Sequence, residues 1–361
     1  MGKDDVATER NTFAEQVFGA MLGFFEILSV NLGARLGLYR ALMEGGALTS
    51  AELADRAGIH ERYAREWLEQ QATAGILRAD LSDAAAPRFV LPPGHAEVLM
   101  DQDSLSYMGA SVYQLMSLPG AFEQVLEAFR TGGGVPYAAY GPINVDGQGG
   151  ANRPVLLSTL PKDWLPAIPA VHARLSADPP ARVADVGCGV GWSSIAIASA
   201  YPGVLVDGIE PDESSVERAR ANADAAGLAD RVRFHAQDGA SFASEGPIDL
   251  ATAFECIHDM ARPVDVLRAV RRTLVDDGAM LVVDEKARDD FTGEADRLES
   301  YLYGWSLFEC LPAGMDHVSS AGTGAVMRPD TLRGYAQEAG FTRFEVLPIE
   351  HDSFRLYLLR P

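Results

Sequence analysis

Asp185-Val186-Gly187-Cys188-Gly189-Val190-Gly191 closes a short apolar run at residues 182–187 and opens into a helical pattern at 192–200. Three glycines spaced by two let the backbone turn tightly and pass close to a ligand, at a helix start whose free N–H groups favour anionic or polar partners. Taken alone such a loop is unselective, so its meaning has to come from its surroundings. Downstream, strands are expected at 204–210, 232–238, 248–254 and 279–285, with helices between them at 214–226 and 264–274. That alternation argues for a parallel sheet covered by helices on both faces. The last two runs, 343–350 and 354–360, are separated only by His351-Asp352-Ser353, a link so short that they must pair antiparallel.

Ligands of open α/β sheets sit at the carboxyl ends of the strands. Glu210 ends the second strand, 19 residues beyond Gly191, where it can accept hydrogen bonds from both hydroxyls of a ribose. Asp238 ends the third and can accept from an adenine amino group. A nicotinamide dinucleotide would use the same features, but the loop reads GxGxG rather than GxGxxG, and the closing hairpin adds an antiparallel strand. His258 follows the fourth strand on the ligand side, a residue type suited to general-base work, and Asp284 at the end of the fifth is its expected acidic partner.

The 361 residues suffice for two or three units, each with its own core. Thirty basic against 51 acidic side chains give a net charge of -21, which repels polyanions and makes nucleic acid a poor partner. Cys188, Cys256 and Cys310 are an odd number without metal-type spacing, so a reduced cytoplasmic setting and no metal are expected. The start, Met1-Gly2-Lys3-Asp4-Asp5, is too acidic for a signal peptide, and Val6 stands where a myristoylation motif has Ser or Thr. The longest apolar run, 17–30, is interrupted by Glu26 and shorter than a bilayer requires; it reads as a buried helix with no membrane role. Phe13, Val17, Met21, Phe24, Phe25 and Leu28 make that stretch apolar around its circumference. It needs a partner surface, on its own protein or, as favoured here, in a homodimer.

Residues 33–100 read as three short helices and a hairpin. Thr49-Ser50-Ala51-Glu52 is a capping box, Gly58 closes that helix, a second helix runs 61–74, and strands follow at 76–79 and 88–91. That is the order of a winged helix-turn-helix. Residues 1–100 carry 9 basic and 14 acidic side chains, the reverse of a DNA reader's footprint, so a scaffold or dimerisation module is expected. Residues 101–175 are helical in places, broken by glycine and punctuated by aromatics including Tyr137 and Tyr140; they are a substrate cap or an interdomain connector. The expected units are thus 1–100, 101–175 and 176–361.

From residue 180 to the end, the glycine loop, Glu210, Asp238, Phe254 and the reversed strand resemble class I S-adenosylmethionine-dependent methyltransferases. With the winged helix, Gly134-Val135-Pro136-Tyr137, Trp164-Leu165-Pro166 and His258-Asp259-Met260, the whole chain is similar to a bacterial winged-helix subfamily. More distantly it resembles the plant and bacterial small-molecule O-methyltransferases. The resemblance implies an α/β Rossmann-like seven-stranded sheet of order 3-2-1-4-5-7-6. It implies S-adenosyl-L-methionine lined by Asp185, Gly187, Cys188, Gly189, Gly191, Glu210, Asp238, Gly239 and Phe254. It also implies His258 as the base, although in many such enzymes a histidine here only shapes the pocket. Tyr137, Tyr140, Trp305 and Phe308 are expected to face a flat, fairly apolar acceptor. The plant enzymes' second glutamate has no counterpart, Gly324-Ala325-Val326-Met327 standing in its place. The implied function is O-methylation of a small molecule by in-line transfer. The alternatives are a cofactor-sensing transcriptional regulator and a non-methylating enzyme of the same fold.

Overall fold

The computed structural model describes residues 3–361, which divide into two compact units, the first ending at Met116 and the second spanning Ser117–Pro361. The segment read as connector or cap is therefore split, and all of it beyond Met116 belongs to the second unit.

The first unit begins with helix α1 (Lys3–Arg35), followed by α2 (Leu38–Gly45), α3 (Ser50–Ala57) and α4 (Glu61–Thr73). The hairpin β1 (Arg78–Asp80) and β2 (Arg88–Val90), then α5 (Pro93–Met100) and α6 (Gly109–Gln114), complete it. The capping box forms: the Thr49 side chain accepts from the Glu52 amide, and Glu52 accepts from the Thr49 amide at 2.8 Å. Leu38, Tyr39, Leu42, Leu53 and Leu68 are the dry centre. Only the end of α1 joins it: Trp67 Nε1 donates to the Ser29 carbonyl at 3.0 Å, and Asn31 Nδ2 to that of Val112 at 2.6 Å. The buried-helix reading of this segment is overturned. The helix is 33 residues long and leaves Phe13, Phe18, Phe24 and Phe25 between 54% and 63% exposed, because nothing in this small unit is long enough to cover it.

The second unit opens with α7 (Leu118–Thr131), α8 (Gly141–Thr159) and α9 (Pro169–Leu175). The sheet strands are β3 (Arg182–Val186), β4 (Leu205–Glu210), β5 (Val232–Ala236), β6 (Ile248–Phe254), β7 (Leu274–Glu285), β8 (Arg343–Val346) and β9 (Phe354–Arg360). They lie in the order β5-β4-β3-β6-β7-β9-β8, which counted within the sheet is 3-2-1-4-5-7-6. Pairs are parallel from β5 to β7, and β9 runs antiparallel between β7 and β8. Helices α10 (Trp192–Ala200), α11 (Glu213–Ala225), α12 (Pro263–Thr273), α13 (Arg297–Trp305), α14 (Leu311–Gly314) and α15 (Pro329–Ala339) complete the unit. The alternating side chains of the strands feed two cores, Val183, Leu250 and Leu281 on one face and Ala184, Ala251 and Met280 on the other. A sheet apolar on both faces must be covered on both, which places every loop at the carboxyl ends of β3, β4, β5, β6 and β7 along one edge.

Candidate active site

At the end of β3 the loop turns through Gly187, Gly189 and Gly191, all with left-handed φ, and Gly191 caps α10. Two of these positions differ in what a side chain would meet. At Gly191 a Cβ would stand 2.6 Å from the Phe234 ring, so glycine is needed for loop and sheet to touch. At Gly189 a Cβ would meet nothing within 4 Å. That glycine faces open space, a cradle for a ligand that approaches the bare backbone.

Glu210, ending β4, stands against this opening. Its Oε2 accepts from the Gly189 amide at 3.1 Å and its Oε1 from the Asp212 amide at 3.0 Å. Burial pushes its pKa up to about 7, the two amides pulling the other way. A carboxylate desolvated to that degree gains strongly from hydroxyl donors. The donor set fits a nucleoside with a free diol.

Other expected cofactor residues are placed differently from one another. Asp185 is fully buried and its carboxylate is consumed: Oδ2 accepts from Ser193 and Ser194 Oγ, both at 2.6 Å, and Oδ1 from Thr252 Oγ1 at 2.7 Å. It ties α10 and β6 to β3 beneath the loop instead of presenting oxygens to a ligand. Cys188 likewise turns its sulfur under the loop toward Gly208. Asp238 is half-exposed, accepts from the Ala240 amide at 2.9 Å and is ion-paired to Arg262, so an adenine amino group would have to share it. Gly239 is packed between Val186 and Val266, and Phe254 is buried at the end of β6.

The fold brings His258 and Asp284 together. Asp284 Oδ1 binds His258 Nδ1 at 2.5 Å and also accepts the Glu285 amide at 2.9 Å; the two side chains are 3% and 1% exposed. Nε2 is left pointing toward Asp259, whose Oδ1 lies 3.2 Å away. Burial works against the charged imidazole, but Asp259 and Asp284 outweigh it and hold the His258 pKa well above its ordinary value. Glu255 was not singled out from the sequence, yet it has φ of 50°, a strained backbone for a residue with a side chain. Burial raises its pKa and that of Glu285, and each carboxylate lies in the field of the other's neighbourhood.

The aromatic positions separate. Tyr137 is half-buried, and its pKa is raised by burial and then by Glu309, Glu210 and Asp259, so its hydroxyl feels carboxylates of both the loop and the His258 side. Tyr140 is buried and its hydroxyl donates to the Phe308 carbonyl at 2.7 Å, which makes it a brace of the cap. Trp305 is half-buried against Tyr301, and the Phe308 ring packs outward on Phe122. Glu309 is buried and accepts from Asn144 Nδ2 at 2.6 Å. The stretch that replaces the plant glutamate lies beside His258 through backbone alone, the Gly324 amide donating to the His258 carbonyl at 3.1 Å.

Residues 177–318 match the family described as a methyltransferase domain, and residues 26–101 the Rv2258c-like winged HTH domain. The chain carries a methyltransferase domain behind a winged-helix domain. Its fold is that of solved methyltransferases: the mitomycin 7-O-methyltransferase MmcR superposes with a TM-score of 0.73 at 22% identity, covering 98% of this chain and 99% of that one. Human N-acetylserotonin methyltransferase in complex with SAM superposes at 0.68 and 19%, covering 100% and 99%. Among curated proteins, a tRNA1(Val) (adenine(37)-N6)-methyltransferase of Yersinia pestis is 35% identical over 81 residues, 22% of this chain. That match spans only 30% of the relative's own length. Asp185, Glu210, His258 and Asp284 all fall inside the matched methyltransferase domain.

Proposed function

We propose that the protein is an S-adenosylmethionine-dependent methyltransferase that methylates a hydroxyl of a small molecule. The observation that carries this reading is the meeting of two devices at one sheet edge, the open Gly189 cradle with Glu210 and the buried Asp284–His258 pair. The cofactor, when bound, supplies an electrophilic methyl group on a sulfonium. The chain's part is to bind and orient: Gly189 lets it approach the backbone, Gly187 and Gly191 let the loop turn and pack beneath it, Glu210 accepts from the ribose, and Asp238, Gly239 and Phe254 flank the base. Asp185 and Cys188 shape the loop from below. Asp284 holds the His258 proton on Nδ1, and once Nε2 has released the proton that Asp259 and Asp284 retain in the free protein, it takes the acceptor's hydroxyl proton, so turnover rises with pH. Tyr137 and Trp305 border the acceptor space, with Tyr140 and Phe308 holding the cap that excludes water.

The likeness to solved O-methyltransferases across nearly the whole chain favours a small molecule. Arg62 and Arg65 on α4 are both paired to glutamates of the same helix, which speaks against a DNA-reading regulator. The exposed apolar side of α1 favours a homodimer, and three free thiols favour the cytoplasm. Calorimetric titration with S-adenosylhomocysteine, followed by a metabolite screen with isotopically labelled cofactor, tests the reading. Tight binding and stoichiometric product support it. Absence of binding overturns it, and a shift of promoter DNA at low salt would favour the regulator instead.

A further inference from the structure

The His258 side holds a second constellation that catalysis by a base does not require. His258 Nε2, an Asp259 carboxylate oxygen and Cys310 Sγ all lie within 4.8 Å of one another. His258 and Cys310 are 3% and 8% exposed, whereas the Asp259 side chain is 42% exposed and forms the mouth. Asp259 Oδ1 is buried and has no partner but the His258 imidazole, whose Nε2 lies 3.2 Å away. A metal cation entering between them would replace the proton that now bridges the pair. Behind the imidazole, Asp284 holds Nδ1, the arrangement that orients histidines toward metal ions.

We infer that His258 Nε2, Asp259 and Cys310 form a binding site for a thiophilic divalent cation of the zinc class. One nitrogen, one sulfur and one oxygen exclude magnesium and calcium, which take oxygen ligands, and match a tetrahedral ion with one position left open. Metal–ligand bonds of about 2.0–2.3 Å place donors roughly 3.5 Å apart; Asp259 Oδ1 already lies at about that spacing from Nε2, so the Cys310 side chain is the one that draws in, by about 1 Å, as the ion enters. On binding, the Cys310 thiol and the His258 imidazolium each lose a proton to solvent, and the thiolate sulfur and Nε2 bond the ion; no oxidation occurs. The ion takes the Nε2 lone pair. On the functional reading above, which only this consequence rests on, it therefore blocks proton removal from the acceptor and acts as a reversible inhibitor.

Chelator-treated full-length protein at pH 7.5 is titrated with cobalt(II), followed by its absorption, and with zinc(II), followed by calorimetry. One equivalent is expected, with a sulfur-to-cobalt charge-transfer band. Cys310→Ser should abolish the band, and both it and Asp259→Asn should weaken affinity at least tenfold, while Cys188→Ser leaves both unchanged. No stoichiometric binding, or binding that neither Cys310→Ser nor Asp259→Asn alters, overturns the site. S-adenosylhomocysteine affinity is measured in parallel. Loss of the metal result alone leaves methyl transfer standing, and loss of cofactor binding leaves the metal result readable.

Discussion

The cofactor side and the acceptor side of this sheet edge are built by different routes. On the cofactor side, Gly187, Gly189, Gly191 and Glu210 come from one strand–loop–helix–strand run, and Glu210 already bonds the loop's backbone before any ligand arrives. On the acceptor side, His258, Asp284, Cys310 and the backbone of Gly324 come from segments up to 66 residues apart, and they leave the buried Asp284 Oδ2 without a partner. One side is preorganised and satisfied; the other is preorganised and short of a partner. A general nucleotide cradle can be assembled locally, whereas a site specific for one acceptor needs the tertiary fold to bring distant residues together.

The comparison is broken most severely at His258. His258→Ala should lower turnover by about 10²- to 10⁴-fold while S-adenosylhomocysteine affinity stays within about threefold. Near wild-type turnover would remove the base role. Glu210→Ala should do the converse, weakening cofactor binding by roughly ten- to a hundredfold, as expected for loss of hydrogen bonds to a charged group. Calorimetry reads this directly, and unchanged affinity would undo the ribose assignment.

A pH titration sharpens the same point. Glu210 has a pKa of about 7 in the ligand-free protein, and ribose donors favour its charged form. Affinity should therefore rise as pH climbs toward about 7, by at most about tenfold per unit, and level off above. Glu210→Gln should flatten the profile; a variant that keeps the slope points to another group. In the ligand-free protein the sign reverses, because the raised pKa makes Glu210 detract from stability once pH passes its ordinary value.

Beneath the loop, Asp185→Ala should cost about 1–3 kcal/mol by orphaning three buried hydroxyls, read as a lowered Tm, since Asp185 braces the loop. A variant of unchanged Tm but lost cofactor affinity would instead make Asp185 a direct contact. The smallest effect on chemistry is expected in the first unit. Phe18→Glu with Phe25→Glu should turn a dimer into a monomer in light scattering, with turnover altered only a few-fold. A wild-type protein that is monomeric and partitions onto lipid vesicles would instead assign α1 to a membrane surface, which its length permits.

Much of the architecture was legible beforehand because it rests on short-range rules. The alternating strands and helices, the capping box at Thr49 and the three-residue link before β9 each follow from periodicity or turn chemistry within a dozen residues; the sheet order was implied only by the resemblance to class I methyltransferases, and the sheet has it. The lines at the strand ends were legible too, because strand direction alone puts Glu210, His258 and Asp284 on one edge. Cys310 gave no signal, being 52 residues from His258 with no spacing rule to join them. The burial of Glu309 gave no signal either, because it depends on Asn144, from a helix 165 residues away. The length and exposure of α1 were misjudged because apolar composition predicts burial but cannot say whether a covering surface exists.

The sequence by itself determined which residues end the strands, since a two-residue period and glycine punctuation act locally. Which of those residues are free for a ligand was decided only by tertiary structure. Asp185 and Glu210 look alike as carboxylates near a glycine loop. Three hydroxyls from α10 and β6 close off the first, and the open face of Gly189 leaves the second at a cradle, because burial and hydrogen-bond satisfaction depend on what the folded chain packs around each group.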